Sequence, residues 1–287
     1  MHIFFRNRTN PQFLIILTCL LLSGCSVISV AYNNVDTLIR WTASDYFDFN
    51  ASQQTQFDRS LRRIHAWHRK EELPKYAMLC TEMAKRVEAG LTSADLDWAD
   101  NVVEERRIFM AQYISGDLAA VLSTIKIEQI DIMNMKLAKE NEKFRKEHLD
   151  GTPEALEKKH VKKSIERIED WIGGLGADQM IKITAMLKTL PQNSEYRYAY
   201  RITRQQMLRE LLGTGLSKNE LEIGLRDWLE NWGDGRTSEQ KQIWAEWTNR
   251  FRLLILELDA ILTPKQRLYL VKKLHDYARD FIELSAS

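Results

Sequence analysis

The chain has 287 residues, with 41 lysines and arginines against 40 aspartates and glutamates, so its formal net charge at pH 7 is +1. Binding to the phosphate backbone of a nucleic acid requires a basic excess that this composition lacks, which excludes nucleic acid as a predicted partner. The length suits one large or two small domains.

The first predicted element is a secretion signal at residues 1–24. Arg6 and Arg8 precede an apolar run from Phe13 to Leu22, and no acidic residue stands before it, which is the layout of a signal peptide. The run is much shorter than the ~20 apolar residues that a membrane-spanning helix needs. We therefore expect residues 1–24 to be cleaved rather than to remain as an anchor.

Leu22-Ser23-Gly24-Cys25 resembles the lipobox of bacterial lipoproteins. The resemblance implies that the signal peptidase recognises Leu22, Ser23 and Gly24, and that Cys25 carries S-diacylglycerol and an N-acyl chain. Several acyl chains hold a protein in a lipid bilayer where one chain binds reversibly. Because Ser26 stands where an Asp would favour inner-membrane retention, the resemblance implies the periplasmic face of the outer membrane. No other cofactor is expected, and a plain secretory signal with a chance cysteine is the alternative.

After the signal we predict a short lipidated tether at residues 25–34 and a single all-helical domain at residues 35–287. Prolines are few, strand-like alternation is absent, and apolar residues recur at steps of three and four,. The expected fold class is all-α, a multi-helix bundle of antiparallel helical hairpins. Glycines, including Gly116, predict the helix ends. Helix starts are predicted near Asp36, Ala51, Leu73, Ser93, Asp117, Pro153, Ala177, Ser194, Lys218, Ser238 and Pro264.

One capping pattern recurs along the predicted helices. A cap residue accepts a hydrogen bond from a first-turn N–H, and a Gln, Glu or Asp three residues later accepts one from the N–H of the cap. Most copies stand roughly 40 residues apart, which predicts a repeated helical hairpin with one degraded copy. The copies are Phe49–Gln53, Leu91–Asp95, Leu175–Gln179, Leu216–Glu220, Thr237–Gln240 and Leu262–Gln266.

Two families share motifs with the chain. Leu262-Thr-Pro-Lys-Gln266 resembles the LTxxQ motif of the Spy and CpxP family, small helical periplasmic chaperones or stress modulators; common helix-capping chemistry is the alternative explanation. A second resemblance, to an uncharacterised family of proteobacterial outer-membrane lipoproteins, rests on Ala31–Asp36, Asp45–Asp48, Trp67–Arg69, Leu73–Ala77, Leu262–Gln266 and Tyr277–Phe281 together. That resemblance covers about the first 80 and last 30 residues, and it implies a location and a fold without a mechanism.

One metal site is conceivable near the N-terminus. His65, His68 and Glu72 stand three and four residues apart, which puts two imidazoles and a carboxylate on one helix face. The neighbouring arginines and lysines oppose a cation there, so exposed or interhelical hydrogen bonding is the other interpretation. A metal protein or an enzyme centred on these residues is an alternative function, but no catalytic residue is predicted.

Aromatic and charged stretches offer further binding candidates. Trp67 and Arg69, and the pairs Trp228 with Trp232 and Trp244 with Trp247, form a possible binding face; interhelical core packing is the alternative for the tryptophans. The charged stretch 136–170 reads as a solvated helical hairpin, with a docking surface as the alternative.

Taken together, these features predict a non-enzymatic periplasmic binding, scaffolding or chaperone-like lipoprotein, whose partners are the bilayer and envelope proteins or unfolded clients. A purely architectural envelope lipoprotein is a further alternative.

Overall fold

A computed structural model of the protein describes residues 27–287, so the predicted signal peptide, the lipobox and Cys25 lie outside the described residues. Every regular element in that range is helical and none is a strand, which confirms the all-α fold class. The helices are α1 Val27–Asn33, α2 Val35–Phe47, α3 Ala51–Trp67, a π-helical turn His68–Glu72, α4 Leu73–Ala89, α5 Ser93–Leu122, α6 Ile127–His148, α7 Pro153–Ile172, α8 Ala177–Lys188, α9 Ser194–Gly213, α10 Lys218–Glu230, α11 Ser238–Ala260 and α12 Pro264–Ala286.

The predicted helix starts are confirmed to within one residue, except near Asp117. That prediction was wrong because α5 continues through Gly116 to Leu122. Ser115 and Ala119 on either side of this glycine are fully buried, and the packing of α5 along α10 offsets the ~1 kcal/mol that a glycine costs in a helix interior. The break comes later instead, and α6 begins at Ile127.

Five of the six predicted capping boxes are complete. At Gly176, which has no side chain to accept a hydrogen bond, only the bond from its N–H to Gln179 Oε1 forms, at 3.0 Å. The structure also adds the copy that seemed degraded. At the start of α3, the Asn50 side chain accepts from the Gln53 N–H while Gln53 Oε1 accepts from the Asn50 N–H. The added copy stands at the start of α6, where the Lys126 N–H donates to Gln129 Oε1 at 3.0 Å. Its sequence escaped detection because a lysine occupies the position of the usual Ser, Thr or Asn.

Four of these boxes meet in pairs through their glutamines. Gln53 Nε2 donates to Gln129 Oε1 at 3.0 Å, and Gln129 Nε2 donates back to Gln53 Oε1 at 2.9 Å. Gln179 and Gln266 form the same reciprocal pair, with distances of 2.9 and 3.0 Å. Each pair thus ties two helix N-termini that are far apart in sequence.

The apolar core is divided among several helix junctions. Val161, Ile183 and Leu254 join α7, α8 and α11, whereas Ala84 and Leu274 join α4 to α12. Two further clusters join α5 and α6 to their neighbours, and both include side chains of α9. Because no single cluster among the described residues joins all the helices, grooves remain between these junctions.

The hairpin formed by α4 and α5 is open. Helix α4 packs mainly along the C-terminal helix α12, and α5 packs mainly along α10, so few residues of α4 contact α5. The two helices are joined only by residues 90–92, where Gly90 has a φ of +93°. Because each helix is held by a different partner, a space remains between them.

Candidate functional site

Helix α5 lines three neighbouring cavities, and we call them together the α5 cleft. Its lining residues recur almost entirely at steps of four, and each such step advances about 40° around a helix of 3.6 residues per turn, so the lining winds from one side of α5 at Trp98 to the other at Leu118. From Trp98 to Val121 the groove extends over about 35 Å at 1.5 Å per residue. The residues of α5 along it are Trp98, Val102, Arg106, Met110, Ile114, Leu118 and Val121.

The first cavity of the α5 cleft lies in the open hairpin. It has a volume of about 860 Å³ and is bounded by α4, α5 and α12. Met78 of α4 is 72% exposed and Ile282 of α12 is 50% exposed. Exposed large apolar side chains grouped around a groove are a sign of a binding surface in a soluble protein.

The second and third cavities continue the groove along α5. The second, of about 410 Å³, ends on Leu229 and Trp232, and it shares Arg106 with the first cavity. The third, of about 340 Å³, is enclosed by α1, α2 and α3, and it shares Met110 and Ile114 with the second. Because neighbouring cavities share these lining residues, the three cavities adjoin one another along α5.

Charges of both signs stand at the rim of the first cavity. Lys85 lies 3.6 Å from Glu82, and Arg279 lies 4.0 Å from Glu283. These ion pairs are exposed, so each contributes little to stability. The rim therefore presents exchangeable hydrogen-bond donors and acceptors around an apolar floor.

Arg106, at the junction of the first two cavities, is held by a carboxylate behind it. Glu72 is fully buried, and its Oε1 lies 2.6 Å from Lys75 Nζ and 3.5 Å from Arg106 Nη1. Its Oε2 has no hydrogen-bond partner among the described residues. A buried carboxylate without its cations would be very costly, so Glu72 fixes the two cations at the groove.

Glu72 ends the π-helical turn. The Leu73 N–H donates to the His68 carbonyl, five residues back. Pro74 has no N–H for the usual bond to Lys70, and a wider turn is one way for the helix to accommodate that loss.

The third cavity is bordered by a tyrosine and two histidines. Tyr32 Oη lies 2.8 Å from His68 Nδ1, and the Tyr32 ring contacts His65 with centroids 4.9 Å apart. Burial raises the pKa of Tyr32 to about 12, although Arg69 opposes this shift. Burial also lowers the pKa values of His65 and His68. At neutral pH this hydrogen bond therefore joins two uncharged groups, the Tyr32 hydroxyl and the His68 imidazole.

The three residues of the hypothetical metal site do not assemble into a ligand set. Among residues 27–287, no group of three His, Cys, Asp or Glu side chains is placed to hold a metal ion. His68 bonds to Tyr32, while the Glu72 carboxylate bonds to Lys75. His65 Nε2 is buried and has no hydrogen-bond partner in the described part of the chain.

Trp67 and Arg69 have structural partners. The Trp67 ring stacks on Tyr113 with centroids 3.7 Å apart. Arg69 donates to Asn33 Oδ1 at 2.8 Å and to the Leu284 carbonyl at 3.0 Å, so it connects α1 to the C-terminal helix. Residues from the segment predicted as a tether are thus already docked on the helical domain.

The other tryptophans do not share one cleft. Trp232 lines the second cavity of the α5 cleft, and the Trp228 ring lies under the guanidinium of Arg204 at 4.5 Å. Trp244 and Trp247 stack on each other with centroids 5.7 Å apart and line a separate cavity beside α7. Arg236, which lies between the two pairs in the sequence, places its guanidinium over the Trp244 ring at 4.7 Å.

No helix within residues 27–287 has the length and apolarity of a membrane span. In comparisons with known proteins, the sequence model of a family of unknown function matches residues 45–246. This match includes the middle of the chain, which the motifs noted above do not cover, and it stops before the last helix. No curated protein matches the chain, and no solved structure does either.

Proposed function

Because the chain belongs to the DUF6279 family, a family of unknown function, we propose a function from its own residues: it is a non-enzymatic envelope lipoprotein whose α5 cleft binds apolar segments of partner proteins. Acylated Cys25 anchors it at the periplasmic face of the outer membrane. Its partners are envelope proteins or unfolded clients, as in a chaperone or scaffold.

The observation that carries this proposal is the series of apolar α5 side chains that border open cavities. A soluble helix normally buries its large apolar side chains against a neighbour, but Val102, Met110 and Ile114 border open cavities instead. Binding of an apolar ligand would remove this surface from water, and each Å² of apolar area so buried contributes about 25 cal/mol of favourable free energy. The open hairpin thus has a reason to receive an apolar ligand.

The dimensions and charges of the groove favour a peptide over a lipid. A groove of about 35 Å, measured along a helix at 1.5 Å per residue, matches a peptide of several helical turns. Lys85 and Arg279 at its rim pair with Glu82 and Glu283, and the two further lining cations, Lys75 and Arg106, pair with buried Glu72. A rim of both signs suits the mixed side chains that flank apolar segments in proteins, whereas an anionic lipid headgroup would require cations without carboxylate partners.

The proposed anchor would hold the cleft close to the membrane. Tyr32, which lines the third cavity, follows Cys25 by only seven residues. Even a fully extended segment of that length spans at most about 25 Å. Clients would therefore be bound near the inner surface of the outer membrane.

Site-specific photocrosslinking tests the proposal. A photoreactive amino acid replaces Val102, which lines the cleft, or Asn101, the exposed neighbour on the same helix. In living cells we expect crosslinked protein adducts from position 102 and several-fold fewer from position 101. Equal yields at the two positions would contradict binding in the cleft.

A charge placed in the groove gives a second test. Met110→Glu should abolish the ability of the purified protein to suppress aggregation of a urea-denatured client, because it puts a carboxylate on the apolar floor. Met135→Glu is the matched control, since Met135 lies on α6 and is 74% exposed. If both variants keep their helical circular dichroism and suppress aggregation equally, the α5 cleft is not the binding site.

A further inference from the structure

A second concave site lies beside the charged hairpin of α6 and α7, and its lining is largely polar where that of the α5 cleft is apolar. This cavity has a volume of about 450 Å³ and is bounded by the end of α6, one face of α7, the start of α9 and the tryptophans of α11. We call it the basic cavity because of its lining charges. Pockets of 300–1,000 Å³ are typical of small-molecule sites.

Four cations and one carboxylate line the basic cavity. The cations are Lys159, Lys163, Arg167 and Arg197, and the carboxylate is Glu147. The formal charge of the whole chain is only +1, so this excess is local. A concave surface of one sign concentrates ions of the opposite sign.

These cations have no carboxylate partner among the described residues, unlike the adjacent Lys162. Within residues 27–287, Lys163, Arg167 and Arg197 form no ion pair, and Lys159 donates to the Glu147 carbonyl at 2.7 Å. Lys162, next to Lys163 on α7, instead lies 3.9 Å from Glu166 and points to solvent. Three lining cations thus remain available to an anion from outside.

Two histidines, His148 and His160, line the cavity together with these cations. Desolvation lowers the pKa of His148, and Arg197 and Lys163 lower it further. Desolvation also lowers the pKa of His160, and Arg197 and Arg167 add to that effect. Both imidazoles therefore lie in a positive field that comes from α7 and α9 together.

The remaining walls suit the other parts of an organic anion. The Asn193 side chain makes no cap bond at the start of α9, and Asn193 and Ser194 line the cavity, so first-turn N–H groups add donors next to the cations. Trp244 and Trp247 supply a flat apolar wall. Donors on one side and stacked rings on the other define a two-part site.

We propose that the basic cavity binds a phosphate-bearing small molecule, with its phosphate among Lys163, Arg167 and Arg197 and its apolar part against the tryptophan pair. Arginine and lysine are the side chains that recognise phosphate most often, by paired hydrogen bonds and by point charge respectively. The same chemistry is offered by a soluble organic phosphate and by a phospholipid headgroup.

Tryptophan fluorescence of the full-length acylated protein in detergent measures binding, because Trp244 and Trp247 line the cavity. Glycerol 3-phosphate is titrated as the soluble probe. In a second arm, the protein is reconstituted in phosphatidylcholine vesicles with or without phosphatidylglycerol. A saturable change with glycerol 3-phosphate supports a soluble ligand, and a change only with phosphatidylglycerol supports a lipid headgroup. No saturable change in either arm would overturn the proposal.

Matched variants locate the bound phosphate. Lys163→Gln and Arg197→Gln should each weaken binding about tenfold, since one charge-assisted hydrogen bond is lost. Lys162→Gln removes the same charge from the adjacent position and should change the affinity less than twofold. Equal weakening by Lys162→Gln and Lys163→Gln would show a diffuse surface effect and overturn the proposal. Arg197→Lys, which keeps the charge, gives a second readout if Arg197→Gln does not fold.

Discussion

Replacing Gln266 by methionine tests the reciprocal glutamine pairs. The Gln266 amide accepts from the Thr263 N–H at 3.0 Å and from Gln179 Nε2 at 2.9 Å, and it donates to Gln179 Oε1 at 3.0 Å and to the Gly174 carbonyl at 2.8 Å. The Thr263 hydroxyl also donates to Gln266 Oε1 at 3.0 Å. Methionine keeps the length of the side chain and removes all five bonds. Gln266 is only 8% exposed, so water does not replace them fully.

The expected cost follows from the size of each contribution. A net hydrogen bond contributes about 0.5–1.5 kcal/mol, and a partner left buried without one costs about 1–3 kcal/mol. Because the five bonds all run through one amide group, their effects overlap, and we expect a loss of about 3 kcal/mol in the free energy of unfolding. For a chain of this size this lowers the melting temperature by roughly 6–12 °C.

Urea denaturation followed by circular dichroism measures the change, and Gln240→Met is the control. Gln240 forms the same box with Thr237, where it accepts at 3.0 Å, but no second glutamine pairs with it in the described chain. Its loss should cost about 1 kcal/mol, the value of a cap alone. Equal losses for Gln266→Met and Gln240→Met would refute the reasoning.

A double-mutant cycle isolates the pair itself. Gln179→Met and Gln266→Met remove the same two reciprocal bonds, so the double variant should lose less than the sum of the single losses. We expect a coupling free energy of about 1–2 kcal/mol, as for other residues in one hydrogen-bond network. Additive losses would show that each glutamine acts only through its own cap.

Three further predictions concern the N-terminal part. The pKa values of His65 and His68 are lowered in the folded state. Their contribution to the free energy of unfolding is therefore complete above pH ~6.5 and is lost as the pH falls below that value. Urea denaturation at pH 7.5 and 5.5 should show this loss, and equal stabilities would contradict it. Glu72→Gln leaves Lys75 and Arg106 without their buried carboxylate and should lower the free energy of unfolding by about 3 kcal/mol in the same assay. An unchanged free energy would contradict this expectation, because the attraction between the charges would then only offset the cost of burying them. Cys25→Ser should abolish lipid labelling and move the protein out of the outer-membrane fraction; unchanged labelling would disprove the lipobox.

The helix boundaries were predictable because capping is local. An Asn, Ser or Thr before a helix and a Gln three residues later interact within one turn, so the sequence contains the whole interaction. The exception at Gly116 has a non-local cause. A glycine often ends a helix, but here the packing of α5 along α10 carries the helix through it,.

The candidate sites were less predictable. Val102, Met110 and Ile114 follow a helical period that predicts burial, and only the packing of α4 on α12 and of α5 on α10 leaves them beside a groove. His148 and His160 stand apart in the sequence, yet the turn between α6 and α7 brings them into one cavity. The distances that define these sites join residues from different helices.

The sequence by itself determined the all-α class, the positions of most helices and the capping boxes, because these depend on side-chain period and on bonds within one turn. It also predicts the anchor, since a lipobox is a linear motif. Only the tertiary structure decided which boxes pair through Gln53 with Gln129 and Gln179 with Gln266, and where α5 stays uncovered. Those outcomes depend on which helix faces compete for one another, and that competition has no local signature.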